Sequence, residues 1–207
     1  MIVKIYDENP NVRDVRCVAE CIADGGIAVV PTDSLYAFVC SMRHKQAVEK
    51  LARLKGFTLK QAKFSLLCAS ISQMSDYMRP LDRETFSILK KALPGPTTFI
   101  MEANNNVARN YQNANKTIGM RVPSNSICHA IIEECREPLV GTSVRIPDAD
   151  YEEEYLTDPE LIHEMYGHIA DIVVDGGMGG VEPSTVVDCS HGIFEIIRQG
   201  KGEVEID

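Results

Sequence analysis

The stretch IAVVPTDSLYAFVC, residues 27–40, decides the fold class. Two apolar runs flank a Pro-Thr-Asp connection, which predicts two neighbouring strands, 27–30 and 34–40, joined by a tight turn. Proline fixes the exit of the first strand, and hydroxyl side chains follow at Thr32, Ser34 and Tyr36. These hydroxyls could serve phosphate or carboxylate oxygens. Alternatively, the segment is a plain turn in which Asp33 bonds its own backbone.

Helical and strand patterns alternate on both sides of this stretch. Helices are predicted at 12–22, at 44–55, at 81–93, from a cap at Ser124 to Cys135, and from Thr157 onward. Further strands are predicted at 64–69, 97–103, 117–122, 139–144, 169–175, 184–188 and 193–199, with a basic loop at 57–63 and an acidic loop at 148–154. This order predicts an α/β fold around a sheet of mixed direction, in a single domain of residues 1–207.

The composition is that of an ordinary globular protein with an acidic balance. The 207 residues carry a formal net charge of -9, and 44% of them are hydrophobic. No apolar run approaches the roughly 20 residues that span a bilayer, and the N-terminus lacks the layout of a signal peptide, so we expect no membrane partner and a cytoplasmic location. Seven cysteines without a CxxC pair are expected to be small buried hydrophobes, and no protein-bound metal is predicted.

In so acidic a chain, any phosphate-binding surface must be a local basic patch. A polar, basic stretch at a predicted sheet end begins at Lys55 and ends at Lys63. Ligands of open α/β sheets tend to bind at such sheet ends. A solvated basic loop is the alternative interpretation. Arg121 lies inside an apolar strand, where its charge needs either an anionic ligand or a structural carboxylate partner.

Hydroxyl groups recur beside these cations at other predicted strand ends. They are Thr98 after Pro94-Gly95-Pro96, Ser143 at the end of 139–144, and Ser184 after Pro183, with Arg198 on the last strand. Hydroxyls and arginines at several strand ends predict a cleft that holds the phosphate group of a nucleotide.

In their order along the chain, these motifs resemble the YrdC-like family, which includes the threonylcarbamoyl-AMP synthases that begin threonylcarbamoyladenosine formation on tRNA. The family patterns Pro-Thr-Asp-Thr-x-Tyr-Gly, Pro-Gly-x-x-Thr, Arg-x-Pro, Pro-Ser-Thr and Arg-x-Gly correspond to PTDSLYA (31–37), PGPTT (94–98), RVP (121–123), PST (183–185) and RQG (198–200). The run MRVPSN, 120–125, looks most like the YciO branch.

The resemblance implies a twisted, mostly mixed or antiparallel sheet with helices that encloses a large basic cavity. It also implies condensation of L-threonine, bicarbonate and ATP, with Mg²⁺ accompanying the ATP. Carried over by position, Thr32 and Tyr36 would border the threonine end, and Arg121 would line the cavity. The nucleotide would be held by Lys55, Thr98, Ser143, Ser184 and Arg198. Ser34 and Lys63 complete the predicted binding set.

Two motifs depart from the family pattern. The family's Lys-x-Arg is Lys55-Gly56-Phe57 here, and its Ser-Ala-Asn is Ser143-Val144-Arg145. Two functions therefore stay open. The first is a threonylcarbamoyl-AMP synthase. The second is a non-synthase protein that binds double-stranded RNA or tRNA with the same cavity.

Overall fold

The computed structural model describes residues 1–107, 116–145, 152, 154–190, 192 and 194–205. Most of the predicted acidic loop at 148–154 lies outside these residues. The helices are α1 (Val12–Ala23), α2 (Lys45–Leu54), α3 (Ile71–Ser75), α4 (Arg83–Ala92), α5 (Ser126–Cys135), α6 (Glu154–Thr157) and α7 (Pro159–Tyr166). The strands are β1 (Ile2–Lys4), β2 (Ala28–Val30), β3 (Ala37–Ser41), β4 (Ser65–Leu67), β5 (Thr97–Glu102), β6 (Thr117–Arg121), β7 (Leu139–Ser143), β8 (Ile172–Asp175), β9 (Thr185–Asp188) and β10 (Glu195–Arg198).

All ten strands belong to one sheet, in the order β1-β8-β2-β3-β7-β4-β6-β5-β9-β10. The pairs β1–β8, β2–β8, β4–β6 and β5–β9 are parallel. The other neighbouring pairs are antiparallel. The predicted α/β fold with a mixed sheet is therefore confirmed.

The two faces of the sheet are covered differently, because successive side chains of a strand point to opposite sides. On one face, Phe38 and Phe99 belong to the larger core, together with buried residues of α2, α4 and α7. On the other face, Val39 and Leu67 pack with α1 and α5 in a smaller core. These two helices do not cover the whole of this second face. Its remaining part, which includes Ala37, lines a cavity.

The connection between β2 and β3 is longer than the predicted tight turn. Val30 pairs with Ala37, so residues 34–36 lie outside the strand that was predicted to begin at Ser34. Thr32 Oγ1 accepts a hydrogen bond from the Ser34 amide at 3.1 Å and donates one to the Leu35 carbonyl at 2.6 Å. These local bonds turn the chain after β2.

Two predicted helix starts are wrong by one residue. Asn125 caps α5, since its side chain accepts from the Cys128 amide at 2.9 Å, whereas Ser124 is bonded elsewhere. Asp158 caps α7 by accepting from the Glu160 amide at 2.8 Å, with Pro159 next to it.

Three short elements, β1, α3 and α6, were not predicted from the sequence. Their patterns are too brief to show a period. None of the helices in the described part of the chain is long and apolar enough to cross a membrane.

Candidate functional site

The cavity on the uncovered sheet face has a volume of about 630 Å³. Its floor is made of small residues, Ala37, Ser65, Gly119 and Gly141, on four neighbouring strands. Because bulky side chains are missing from this floor, space remains above the sheet. The volume lies in the usual range for small-molecule sites. Eight of the ten predicted site residues line this cavity: Thr32, Ser34, Lys63, Thr98, Arg121, Ser143, Ser184 and Arg198.

Arg121, at the end of β6, is held by the connection between β2 and β3. Its Nη2 is paired with the Asp33 carboxylate, and its Nη1 donates to Ser34 Oγ at 2.8 Å. Asp33 Oδ2 also accepts from Ser124 through the amide at 3.1 Å and the hydroxyl at 2.9 Å. The sequence left open whether Arg121 pairs with an anionic ligand or with a structural carboxylate, and the structure contains the carboxylate partner, Asp33. Both carboxylate oxygens of Asp33 accept hydrogen bonds from residues far along the chain, Arg121 and Ser124. The alternative in which Asp33 bonds its own backbone is therefore not observed.

The pairing leaves one polar atom of Arg121 without a partner. Its side chain is only 7% exposed, and its Nε has no hydrogen-bond acceptor among the described residues. Buried polar groups are nearly always bonded, so Arg121 is a side chain whose hydrogen-bonding capacity the described residues do not fully satisfy.

A second cluster joins β5, β9 and β10. The Thr98 and Ser184 hydroxyls lie 3.0 Å apart. Arg198 donates to the Ser184 carbonyl from Nη2 at 2.7 Å and from Nε at 3.1 Å. Burial lowers the pKa of Arg198, and so does the positive charge of Arg121. An anion bound in the cavity beside Arg198 would favour the charged form of its guanidinium group.

The glycine of the Arg-x-Gly motif has a steric role behind this cluster. A Cβ on Gly200 would lie 2.2 Å from the Pro183 carbonyl oxygen, which only a residue without a side chain avoids. The Thr185 hydroxyl accepts from the Gly200 amide at 3.0 Å and donates to the Gly202 carbonyl at 2.6 Å. The segment after β10 is thereby fastened against the start of β9.

Lys55, just after α2, does not line the cavity. It is 8% exposed, and its Nζ donates to the Ser143 carbonyl at 2.6 Å and to the Arg145 carbonyl. Burial lowers the pKa of Lys55 to about 8, while the two carbonyl acceptors favour its charged form. In this structure, Lys55 fastens the end of β7 that carries Ser143.

Tyr36 is the other predicted residue outside the cavity lining. Its ring is fully buried, and its hydroxyl donates to the Gly177 carbonyl at 2.7 Å and accepts from the Gly176 amide at 3.1 Å. Burial raises the pKa of Tyr36 to about 12. The ring also packs under Gly179, where a Cβ would come within 2.6 Å of it. Tyr36 therefore holds the glycine-rich loop 176–180 in place.

The two departures from the family motifs fall at different places. Phe57 is 41% exposed and does not line the cavity, and Lys63 on the same loop does. Val144 is fully buried, whereas Arg145 is exposed and contributes its carbonyl to Lys55.

One charged residue of the cavity, Asp188, is absent from the site residues predicted from sequence. It is the one carboxylate among the described lining residues. The signal was available, because strand alternation places Asp188 on the same face as Ser184, four residues earlier. No group of three His, Cys, Asp or Glu side chains suited to a metal ion occurs within the described ranges.

Comparison with known proteins identifies the family. The model of the Sua5/YciO/YrdC family, described as "Telomere recombination", matches residues 20–200. The chain belongs to this family. It is 35% identical over 202 residues to the "Uncharacterized protein YciO" of Escherichia coli (strain K12), covering 97% of this chain and 96% of that protein. The predicted resemblance to the YrdC-like family and its YciO branch is confirmed.

Other Sua5/YciO/YrdC proteins extend the comparison. The "Threonylcarbamoyl-AMP synthase" of Halorhodospira halophila is 27% identical over 181 residues, which cover 87% of this chain and 92% of that protein. The crystal structure of E. coli YciO matches with a TM-score of 0.91 and 34% identity, over 98% of this chain and 97% of that one. P. abyssi Sua5 complexed with L-threonine matches with a TM-score of 0.86 and 22% identity, over 97% of this chain and 57% of that one. The fold is therefore that of YciO and Sua5, as predicted.

Proposed function

We propose that this protein binds ATP and L-threonine in its cavity and condenses them with bicarbonate to L-threonylcarbamoyl-AMP, releasing pyrophosphate and water. The observation that carries the proposal is the convergence of Arg121, Arg198 and Lys63 with several hydroxyl groups around one cavity of about 630 Å³. Membership of a family that contains threonylcarbamoyl-AMP synthases supports it. The Sua5 complex with L-threonine supports the choice of amino acid.

The arginine clusters provide the phosphate-binding part of the site. Arg121 is fixed in place by Asp33 and Ser34, so it would meet an anion without losing side-chain freedom. Arg198 and the Thr98–Ser184 hydroxyl pair would donate hydrogen bonds to phosphate oxygens. The sequence predicted a large basic cavity; we propose a cavity whose positive charge comes from Lys63, Arg121 and Arg198.

The residues that line the cavity favour catalysis by positioning and charge stabilisation. Among the described lining residues there is no histidine or cysteine to act as a base or nucleophile. Holding three reactants together and neutralising the charge that develops on the phosphates account for large rate accelerations without a protein nucleophile. Mg²⁺ would arrive with the ATP, held by its phosphates and by water. With ATP as the substrate, we expect the reaction to take place in the cytoplasm.

Binding of tRNA or double-stranded RNA is less well supported. A cavity of about 630 Å³ accommodates a nucleotide but not a duplex, and the formal net charge of -9 opposes a polyanion. If RNA were the ligand, its affinity would fall steeply as the salt concentration rises, because bound phosphates release counterions.

The test is threonine-dependent release of pyrophosphate from ATP in the presence of bicarbonate and Mg²⁺. Arg198→Ala should reduce the rate roughly tenfold to a hundredfold, the loss expected for a hydrogen bond to a charged group. Arg79→Ala removes a cation whose side chain is 67% exposed and pairs with Glu102 outside the cavity, so it should leave the rate unchanged. Wild-type release no faster than that of Arg198→Ala would refute the proposal.

A further inference from the structure

The cavity has two chemically unlike ends along β5 and β9. Thr98 pairs with Val186 and Ile100 pairs with Asp188, so positions along these strands give positions along the cavity. Ser184, with its bonds to Thr98 and Arg198, lies at one end. Asp188 lies four residues further along the chain, about 13 Å away for extended strand. The cavity therefore runs from an end with two arginines and several hydroxyl groups to an end that carries the Asp188 carboxylate. By the pairing of Ser65 with Gly119 and of Gly119 with Ile100, Lys63 lies nearer this second end.

Asp188 has one oxygen engaged and one available. Oδ1 accepts from Ser190 through the amide at 2.8 Å and the hydroxyl at 2.6 Å. Oδ2 accepts no hydrogen bond from the described residues, and none of their cations lies within ion-pair distance of the carboxylate. Its neighbours on the same face of the sheet include the apolar side chains of Ile100 and Val186.

A carboxylate at this end selects the kind of ligand group that can bind there. It repels phosphate, and it accepts hydrogen bonds from N–H groups. The apolar side chains around it suit a flat ring. If the phosphates of a nucleotide are bound at the Arg198 end, its base points toward Asp188.

We propose that Asp188 is a specificity-determining residue whose Oδ2 accepts a hydrogen bond from the exocyclic amine of the nucleobase. This inference rests on the proposed function, because it requires a nucleotide in the cavity. An adenine amine donates to Asp188. The hypoxanthine of inosine triphosphate has a carbonyl oxygen in place of the amine, which would put two acceptors face to face.

The experiment is calorimetric titration of the protein with ATP and with inosine triphosphate, both in Mg²⁺. The wild type should bind ATP about tenfold or more tightly, the effect of one hydrogen bond to a charged group together with the repulsion in the analogue. In Asp188→Asn, Oδ1 stays bonded to Ser190, so the side-chain NH2 takes the place of Oδ2 and can donate to the hypoxanthine carbonyl but not accept from the adenine amine; inosine triphosphate should therefore bind as tightly as ATP or more tightly. Asparagine also keeps the turn bond to Ser190, which preserves the local fold.

Glu195→Gln is the matched control. Glu195 is exposed and lies opposite Asp188 on β10, outside the cavity lining. The substitution therefore removes one negative charge close to Asp188 without changing the cavity. It should keep the wild-type preference. Equal affinities for the two nucleotides in the wild type, or an unchanged preference in Asp188→Asn, would overturn the inference and leave nucleotide binding standing. Binding of neither nucleotide would overturn the proposed function and the inference together.

Discussion

The buried pair of Arg121 and Asp33 allows a quantitative prediction, since both side chains are nearly out of solvent, at 7% and 11% exposure. Asp33→Asn leaves the guanidinium charge buried without a counter-charge. Breaking a buried pair on one side costs about 3–5 kcal/mol, so we expect the free energy of unfolding to fall by this amount. The Arg121→Met/Asp33→Asn double variant removes the charge as well and should be more stable than Asp33→Asn alone.

The assay is urea unfolding followed by circular dichroism, at pH 7, for the wild type, both single variants and the double variant. The double-mutant cycle should give a coupling energy of about 2 kcal/mol or more. The exposed pair of Arg79 and Glu102, treated in the same way, is the control and should give less than about 1 kcal/mol. A coupling energy for Arg121 and Asp33 no larger than that of the control pair would show that burial does not strengthen their interaction.

Three further predictions concern residues that shape the site. Lys55 has a folded-state pKa of about 8, below its unfolded value of 10.5, so the folded protein loses this proton first and the contribution of Lys55 to stability rises between these pH values. The free energy of unfolding of the wild type minus that of Lys55→Met should therefore increase by on the order of 1–3 kcal/mol across this range, with no such rise for the exposed Lys50→Met. Gly200→Ala should cost about 1–3 kcal/mol in urea unfolding, because its Cβ meets the Pro183 carbonyl, whereas Lys201→Ala at the neighbouring exposed position should cost almost nothing. Tyr36→Phe removes both bonds to the 176–180 loop, so hydrogen exchange at the Gly176 amide should accelerate and stability should fall by about 1–3 kcal/mol, with the exposed Tyr6→Phe as the unaffected control. Protection of Gly176 equal to that of the wild type would show that the hydroxyl does not hold the loop.

The elements predicted from sequence are the ones with a clear period or a long apolar run. The spacing of Val12, Val15, Val18 and Ile22 predicts a helix, which is present as α1. The last three of these residues are buried as predicted, whereas Val12 at the first helical position is exposed. β1 was not predicted, because three residues are too few to show a period. Its partner strand, β8, lies about 170 positions further along the chain. The connection between β2 and β3 was predicted too short, because its path depends on bonds to Arg121 that no local pattern encodes.

The candidate site could be predicted as a set of residues but not as a geometry. Hydroxyls and arginines at strand ends converge because the sheet brings those ends together, and Lys63, Arg121 and Arg198 line the same cavity. Lys55 and Tyr36 were assigned by position in a motif. Their side chains instead bond to backbone carbonyls and amides of neighbouring loops, which only tertiary packing determines.

The most direct test of nucleotide and threonine binding in the cavity is a crystal structure with a non-hydrolysable ATP analogue and L-threonine. We expect a phosphate group within hydrogen-bond distance of Arg121 and Arg198, near the Thr98–Ser184 hydroxyls, with the base toward Asp188. A nucleotide bound outside the cavity, or a cavity without ligand at saturating concentrations, would contradict it.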